Sequence, residues 1–158
     1  MPAPLTLATQ RWALLQLHSL SKKLGRAPKL PPHLQTGVRG EFEALFYLRR
    51  LGYTVVERRW RSPELNGDLD LVAWEGATLC FIEVKTRSSE DWTRPAAAVN
   101  AERRWRLSRA ALDYLRLLEN PRVKIRFDIV EVLLAEGKVR EVRHLPNTFA
   151  MAQPLRYG

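Results

Sequence analysis

From Gly37 onward, apolar and polar residues follow helical or strand periodicity, and the pattern predicts the order helix, three strands, helix, two strands. The first helix is expected from Val38 to Leu51, before Gly52, and the second from Asn100 to Glu119. The expected strands run from Thr54 to Arg61, Leu69 to Trp74, Thr78 to Thr86, Lys124 to Leu134 and Lys138 to His144. The turn at Glu75-Gly76-Ala77 predicts that the second and third strands form an antiparallel hairpin.

The third strand ends in charges that a buried strand should lack. Successive side chains alternate between faces, so Glu83 and Lys85 share a face with the apolar Phe81. Both faces are apolar before Glu83, which places the strand in the middle of a sheet covered on both sides. Burying a carboxylate and an ammonium there costs desolvation free energy, and a divalent metal with a phosphate is one candidate for compensation. Asp70, thirteen residues upstream, begins another apolar run.

The first helix carries a second anomaly, since Glu41 falls inside its apolar stripe and is predicted to point inward. One interpretation is a buried salt bridge to an arginine, because a lone buried carboxylate would have a raised pKa and would destabilise the fold. The other joins Glu41 to Asp70 and Glu83 in an acidic cluster that a metal neutralises.

The second helix shows the same anomaly with the opposite charge. Arg103 lies one turn before Leu107 on the apolar stripe, from where it can reach the acidic residues. The neighbouring arginines spread around the helix and, with Trp105, form either a solvated face or a phosphate-binding face. The predicted nucleic-acid-binding residues are Arg103, Arg104, Arg106 and Arg109 of this helix, together with Arg87 near the end of the third strand.

Charge and composition favour a polyanionic partner. The 158-residue chain has a net charge of +9, carried by 20 Arg and 6 Lys, although an arginine-rich genome would give the same bias. The single cysteine, Cys80, excludes a disulfide framework and a CxxC metal clip and fits a reducing cytoplasm. No apolar stretch approaches the length of about 20 residues that spans a membrane.

The chain is expected to divide into an arm, one domain and a tail. Residues 1–36 carry five basic residues and no acid, and are expected to form an amphipathic helix followed by a linker marked by Pro28, Pro31 and Pro32. This arm is expected either to fold back on the domain or to contact nucleic acid. Residues 37–146 form the domain, and residues 147–158 form a tail without a recognisable pattern.

The acidic residues and the lysine have the chemistry needed for phosphodiester hydrolysis. Asp70 and Glu83, with the Val84 carbonyl, can supply the oxygen ligands that Mg²⁺ or Mn²⁺ requires. The metal would polarise the phosphate and lower the pKa of an attacking water, and Lys85 would orient that water and stabilise the developing charge. A histidine-based site is not expected, because the three histidines are scattered along the chain.

The ordered motifs resemble the YraN-like family of bacterial proteins. They run from Gly37-x-x-Gly40-Glu41-x-x-Ala44 and Tyr47-Leu48-x-x-x-Gly52-Tyr53 through Gly67-Asp68-Leu69-Asp70-Leu71-Val72 and Phe81-Ile82-Glu83-Val84-Lys85-Thr86-Arg87 to Arg126-Phe127-Asp128-Ile129-Val130. The resemblance implies an α/β, restriction-endonuclease-like core with a mixed central sheet flanked by helices, of the PD-(D/E)XK nuclease superfamily and similar to Holliday-junction resolvases. It implies the active-site residues Glu41, Asp70, Glu83 and Lys85.

Three positions depart from that family's pattern. The family usually has glutamate where this chain has Asp68, an aromatic-Gly pair where it has Trp92-Thr93, and lysine where it has Arg103. Aspartate at position 68 matters only if that position contacts metal. A guanidinium at position 103 can clamp phosphate but cannot act as a base at neutral pH.

The leading functional hypothesis is a Mg²⁺- or Mn²⁺-dependent endonuclease that cleaves DNA, with branched or single-stranded DNA in repair or recombination as candidate substrates. One alternative is a nucleic-acid-binding module that keeps the fold without cleaving, because fold alone does not define function. Another is a protein-interaction adaptor whose acidic cluster is a salt-bridged core. We expect a cytoplasmic protein that contacts nucleic acid and no membrane, either as a monomer or as a homodimer.

Overall fold

The structure is a computed structural model that describes residues 32–64, 67–88 and 99–157. The predicted order of elements is confirmed. In chain order the elements are α1 (Pro32–Arg50), β1 (Thr54–Arg61), β2 (Asp68–Glu75), β3 (Thr78–Ser88), α2 (Ala101–Leu117), β4 (Lys124–Ala135) and β5 (Lys138–Phe149).

The five strands form one mixed sheet in the order β1-β2-β3-β4-β5. Neighbouring strands are antiparallel except β3 and β4, which are parallel and are joined by the segment that contains α2. A parallel pair requires such a crossover, because its strands start at the same edge of the sheet. This is the α/β architecture, with a mixed central sheet between helices, that the family resemblance implied, and it is consistent with a restriction-endonuclease-like core.

The two faces of the sheet pack against different helices. One core lies between the sheet and α1 and includes Leu48, Ile82 and Val130, all of them buried. The other lies on the α2 side and includes Phe81 and Leu107. Phe81 and Ile82 are each only 1% exposed, although they point to opposite faces. The prediction that β3 is a central strand covered on both sides is therefore confirmed.

Helix α1 and strand β5 extend furthest beyond their predicted bounds. Helix α1 begins at Pro32, because proline is well accommodated in the first turn of a helix, where its missing N–H has no partner to lose. Strand β5 continues through Pro146 to Phe149. Proline is tolerated there because β5 is an edge strand, and the pairing with β4 is irregular between Leu145 and Phe149, where Asn147 has a φ of 52°.

The residues after Phe149 pack against the domain. Met151 and Tyr157 cover the α2-side core, and the Ala152 N–H donates a 2.9 Å hydrogen bond to Ser108 Oγ. The predicted arm helix, before residue 32, and Trp92-Thr93 lie outside the described residues. Within the described ranges, neither helix has the length and apolar character to cross a membrane.

Gly40 brings α1 close to the end of β3. A Cβ atom at this position would lie 1.8 Å from Thr86 Oγ1, so no residue with a side chain fits without a shift of the backbone. Glycine inside a helix is less favourable than alanine by about 1 kcal/mol, and the close approach explains why it stands here. The adjacent Glu41 is held in the same turn of α1, where it faces Arg58 and Arg59 of β1.

Candidate active site

The candidate site lies where β2 and β3 separate. Their pairing ends at Leu71 and Ile82, beyond which β2 pairs with β1 and β3 pairs with β4. Asp70 lies at the fork, and its Oδ2 accepts a 2.8 Å hydrogen bond from the Val84 N–H. The carboxylate thus satisfies a backbone donor that has lost its strand neighbour.

Glu83 lies on the α2 side of the fork and is 8% exposed. Both of its carboxylate oxygens accept hydrogen bonds from Arg103. Nε lies 3.1 Å from Oε1 and 3.2 Å from Oε2, and Nη2 lies 2.7 Å from Oε2. This is a bidentate, charge-assisted pair, the geometry for which arginine is best suited.

The same guanidinium bridges to β2. Arg103 Nη1 donates a 2.9 Å hydrogen bond to Asp68 Oδ1, and the Asp68 side chain is 53% exposed. Arg103 itself is fixed in the first turn of α2, where its backbone N–H donates to the N-cap residue Asn100. The predicted reach of Arg103 to the acidic residues is confirmed, and position 68 contacts the arginine.

Glu41 is 8% exposed, as its place on the apolar stripe predicted. Its Oε2 lies 3.3 Å from Arg59 Nε and 3.5 Å from Arg58 Nη1. The buried salt bridge considered as an alternative is therefore present. The geometry is loose, however, and this Oε2 forms no hydrogen bond within the described residues.

Sequence reasoning missed both arginine partners of Glu41. In a regular strand, consecutive residues point to opposite faces, so Arg58 and Arg59 should not reach one carboxylate. Arg59 has a φ of 56°, a left-handed conformation that interrupts the alternation and directs both side chains to Glu41. Non-glycine residues in this conformation are uncommon and concentrate at functional sites. The one feature of the sequence that could have indicated these partners is the pair of consecutive arginines at positions 58 and 59.

The acidic residues differ in how well their charge is compensated. Burial, followed by the negative charge of Glu83, raises the pKa of Asp70 from 3.8 to about 7, although the Val84 N–H opposes this. Burial also raises the pKa of Glu41 against the opposing charges of Arg59 and Arg58. Burial acts on Asp68 in the same direction, but Arg103 outweighs it and lowers the pKa. The uncompensated negative charge is therefore centred on Asp70.

The predicted metal ligands fit a cation by their chemistry but not by their present arrangement. Asp70 and Glu83 offer carboxylate oxygens, the donor type that Mg²⁺ and Mn²⁺ prefer, and the charge of Glu41 also acts on Asp70. Yet the Arg103 guanidinium holds both oxygens of Glu83. Among the described residues, no three His, Cys, Asp or Glu side chains are placed to hold a metal ion. Arg103 and a metal would therefore both engage the carboxylate of Glu83, and the ligand role of Val84 stays a prediction.

The other basic residues predicted to belong to the site fall into three groups. Lys85 is partly buried, follows Glu83 on the same face of β3 and forms no ion pair with a described residue. Arg87 instead points to the buried Glu131, with Nε 3.6 Å from Oε1. On α2, Arg104 and Arg106 are exposed, Arg109 is partly buried and Trp105 is 37% exposed. Arg106 forms an exposed pair with Glu102 at 2.6 Å.

A second polar network lies on the α1 side of the sheet, around the completely buried Asp128. The carboxylate accepts hydrogen bonds from Arg126, from His144 Nε2 at 2.8 Å and from the Asn147 N–H at 2.9 Å. Arg126 also bonds to the Tyr53 hydroxyl. This network explains the Arg-x-Asp motif as a tie between β4, β5 and the end of α1. His144, the one histidine with a described side chain, belongs to this network.

Comparison with known proteins places the whole candidate site inside a recognised segment. The model of the uncharacterised protein family UPF0102 matches residues 40–132. A UPF0102 protein of Koribacter versatilis is 45% identical over 126 residues, which cover 79% of this chain and 86% of that protein. One of Solibacter usitatus is 49% identical over 66% of this chain and 80% of its own length, and one of Geobacter metallireducens is 35% identical over 73% and 93%.

Proposed function

The chain belongs to the UPF0102 family, and from the site inside the matched segment we propose that it is a metal-dependent endonuclease that hydrolyses DNA phosphodiester bonds. The observation that carries the proposal is the fork between β2 and β3. It brings Asp70 and Glu83 together and places Lys85, which has no ion-pair partner among the described residues, two positions further along. These groups suit an attack by water on a phosphate.

Each side chain has a distinct part in this reaction. Asp70 and Glu83 would hold Mg²⁺ or Mn²⁺, which would supply polarisation of the phosphate and a lowered pKa for the attacking water. Lys85 orients the water and stabilises the negative charge that develops on phosphorus oxygens in the transition state. Glu41 adds a further carboxylate beside the site, held by α1.

DNA is supported as the partner by the distribution of positive charge. The net charge of +9 attracts a polyanion over distances longer than a contact. The arginines of α2 and the exposed ring of Trp105 lie on the helix that carries Arg103 into the site. Phosphate contacts from Arg104, Arg106 and Arg109 would orient the backbone at the acidic cluster without reading its sequence. Branched or single-stranded DNA is the substrate class we favour.

The test is cleavage of linear duplex, single-stranded, flap and four-way DNA by the purified full chain with Mg²⁺ or Mn²⁺. We expect cleavage of at least one substrate, and we expect Asp70→Asn and Glu83→Gln to abolish it while DNA binding persists. Glu136→Gln is the matched control, because this side chain is 84% exposed in the β4–β5 turn. If the wild type cuts no substrate, or if Asp70→Asn cuts as fast as the wild type, the proposal is wrong.

A second candidate is a nucleic-acid-binding module that does not cleave. It is favoured by the pairing of Glu83 with Arg103 and, within the described ranges, by the lack of three His, Cys, Asp or Glu side chains placed for a metal. Under this hypothesis the acidic cluster stabilises the fork, and DNA binds to the arginines of α2 alone. Wild-type DNA binding without any metal-dependent cleavage would support it.

A further inference from the structure

Arg103 occupies the place of a cation at the fork. Its nitrogens lie between 2.7 and 3.2 Å from the two oxygens of Glu83, which are the oxygens that a metal would need. A metal bound to Glu83 would also lie against the positive guanidinium, and like charges in a partly buried site repel strongly. Arg103 and a divalent metal therefore compete for Glu83.

Arg103 could leave Glu83 by a movement of its side chain. The Arg103 backbone is held by the Asn100 cap, so only the side chain needs to move. The side chain is 25% exposed, and its second partner, Asp68, is 53% exposed at the rim of the site. The path from Glu83 to solvent thus passes a weak, exposed ion pair, which contributes little by itself.

A nucleic-acid phosphate is a suitable new partner for this guanidinium. Phosphate accepts the same forked pair of hydrogen bonds as a carboxylate. The exposed Arg104 and Arg106 flank Arg103 on the same helix and would bring the backbone within its reach. DNA bound to α2 would therefore offer Arg103 an alternative to Glu83.

We propose that Arg103 closes the acidic site to metal in the free protein, and that a nucleic-acid phosphate draws its guanidinium away from Glu83 and opens the site. Arg103 is thereby a positioning residue that couples DNA binding to metal binding. The inference rests on the proposed function and adds to it a reason why metal and DNA bind together. By thermodynamic linkage, DNA must strengthen metal binding by the same factor by which metal strengthens DNA binding.

The first test is Mn²⁺ binding to the full chain without DNA, measured by isothermal titration calorimetry. Arg103→Met should bind Mn²⁺ on the order of tenfold more tightly than the wild type, within the usual range for coupled sites. Asp68→Asn removes the outer partner of the arginine and should give a smaller increase. Arg140→Met is the matched control, because it removes one positive charge and an exposed arginine–glutamate pair at Glu136.

The outcomes separate this inference from the proposed function. Equal Mn²⁺ affinity in the wild type, Arg103→Met and Asp68→Asn would overturn the closing role of Arg103, even if the protein cleaves DNA. An absence of Mn²⁺ binding in all three would overturn both the inference and the metal dependence. If Arg103→Met fails to fold, Arg103→Lys replaces it, since an ammonium cannot form the bidentate pair and should also admit metal more readily than the wild type.

The second test measures the coupling itself in the Lys85→Ala background, which slows cleavage. DNA affinity is measured by fluorescence anisotropy with and without Mn²⁺. We expect Mn²⁺ to strengthen DNA binding several-fold when Arg103 is present and to have a much smaller effect in the Arg103→Met variant. The same Mn²⁺ effect in both proteins would show that Arg103 does not transmit the coupling, and would overturn this inference.

Discussion

At the scale of single residues, Asp70 carries the electrostatic imbalance of the site. Its carboxylate accepts a hydrogen bond from a backbone N–H and lies near two other acids. The guanidinium of Arg103 bonds to Glu83 and Asp68 and not to Asp70. Its pKa is raised to about 7 by burial and by Glu83, so ionising this group works against folding. A structural residue selected for stability alone would not need this charge.

Replacing Asp70 with Asn tests this imbalance through the pH dependence of stability. The raised pKa means that the folded wild type binds more protons than the unfolded chain between pH 3.8 and about 7. Wild-type stability relative to Asp70→Asn should therefore fall as the pH rises through this range, by more than about 1 kcal/mol. Asparagine keeps an acceptor for the Val84 N–H. The measurement is urea unfolding of both proteins at about pH 5 and about pH 8 without metal.

Asp68→Asn is the control for this measurement. The pKa of Asp68 is lowered by Arg103, so any stability due to this ionisation is lost only as the pH falls below its ordinary value of 3.8. The difference in the free energy of unfolding between Asp68→Asn and the wild type should be the same at both pH values. If the difference in the free energy of unfolding between Asp70→Asn and the wild type is also independent of pH, the pKa of Asp70 is not raised and the site is not as described.

At the scale of elements, the position of Glu41 depends on the contact between α1 and β3. Gly40 faces Thr86 so closely that even a methyl group would overlap its hydroxyl, whereas a methyl group on Gly37, one turn earlier, would meet no other part of the fold within 4 Å. The same substitution in the same helix should therefore have opposite effects at the two positions.

Gly40→Ala should lower the free energy of unfolding by about 2 kcal/mol or more, because α1 must shift away from β3. Gly37→Ala should raise it by about 0.5 to 1 kcal/mol through helix propensity. Adding Thr86→Ala to Gly40→Ala should restore part of the loss, since it removes the closest atom, Oγ1. Chemical denaturation of the four proteins measures these effects. Equal effects of the two glycine substitutions would contradict a close α1–β3 contact.

The elements also show what the sequence could and could not predict. Strand β1 has its predicted bounds, and β3 was recognised as central because both of its faces are apolar before Glu83. Strand β5 extends further because Pro146, which usually ends a strand, lies on an edge with an irregular pairing. The arginine pair at Glu41 depends on the left-handed φ of Arg59, which no periodic rule predicts for an arginine.

At the scale of the whole molecule, a strongly basic protein encloses an acidic site. The net charge of +9 favours a polyanionic partner, while the cluster around Asp70 would repel a phosphate unless a cation is present. The sequence suggested this cluster as one interpretation, because Glu41 falls inside an apolar stripe, Glu83 ends an apolar strand and Asp70 begins another apolar run. It predicted that Arg103 reaches the acidic residues, but it did not predict that the guanidinium pairs with both oxygens of Glu83, because a guanidinium on that helix face could equally have bound phosphate.

The arginines of α2 give a prediction about the salt dependence of DNA binding. The logarithm of the affinity should fall linearly with the logarithm of the salt concentration, and each lost phosphate contact should reduce the slope by about 0.7 to 0.9. Changing Arg104, Arg106 and Arg109 to Ala should therefore flatten the slope. A control variant with Arg122, Arg140 and Arg156 changed to Ala has the same net charge as the α2 variant. It should retain more of the wild-type slope. Equal slopes in the two variants would move the binding face elsewhere.

The most direct test of the proposed nuclease is single-turnover cleavage by Lys85→Ala beside measurement of its DNA affinity. Lys85 is proposed to act on charge that appears only in the transition state, so its loss should lower the cleavage rate by on the order of 10²-fold or more. The DNA affinity should weaken by no more than one phosphate contact, and Lys138→Ala, at an exposed lysine of β5, should cleave like the wild type. An absence of cleavage by the wild type, or a Lys85→Ala effect confined to affinity, would contradict the account.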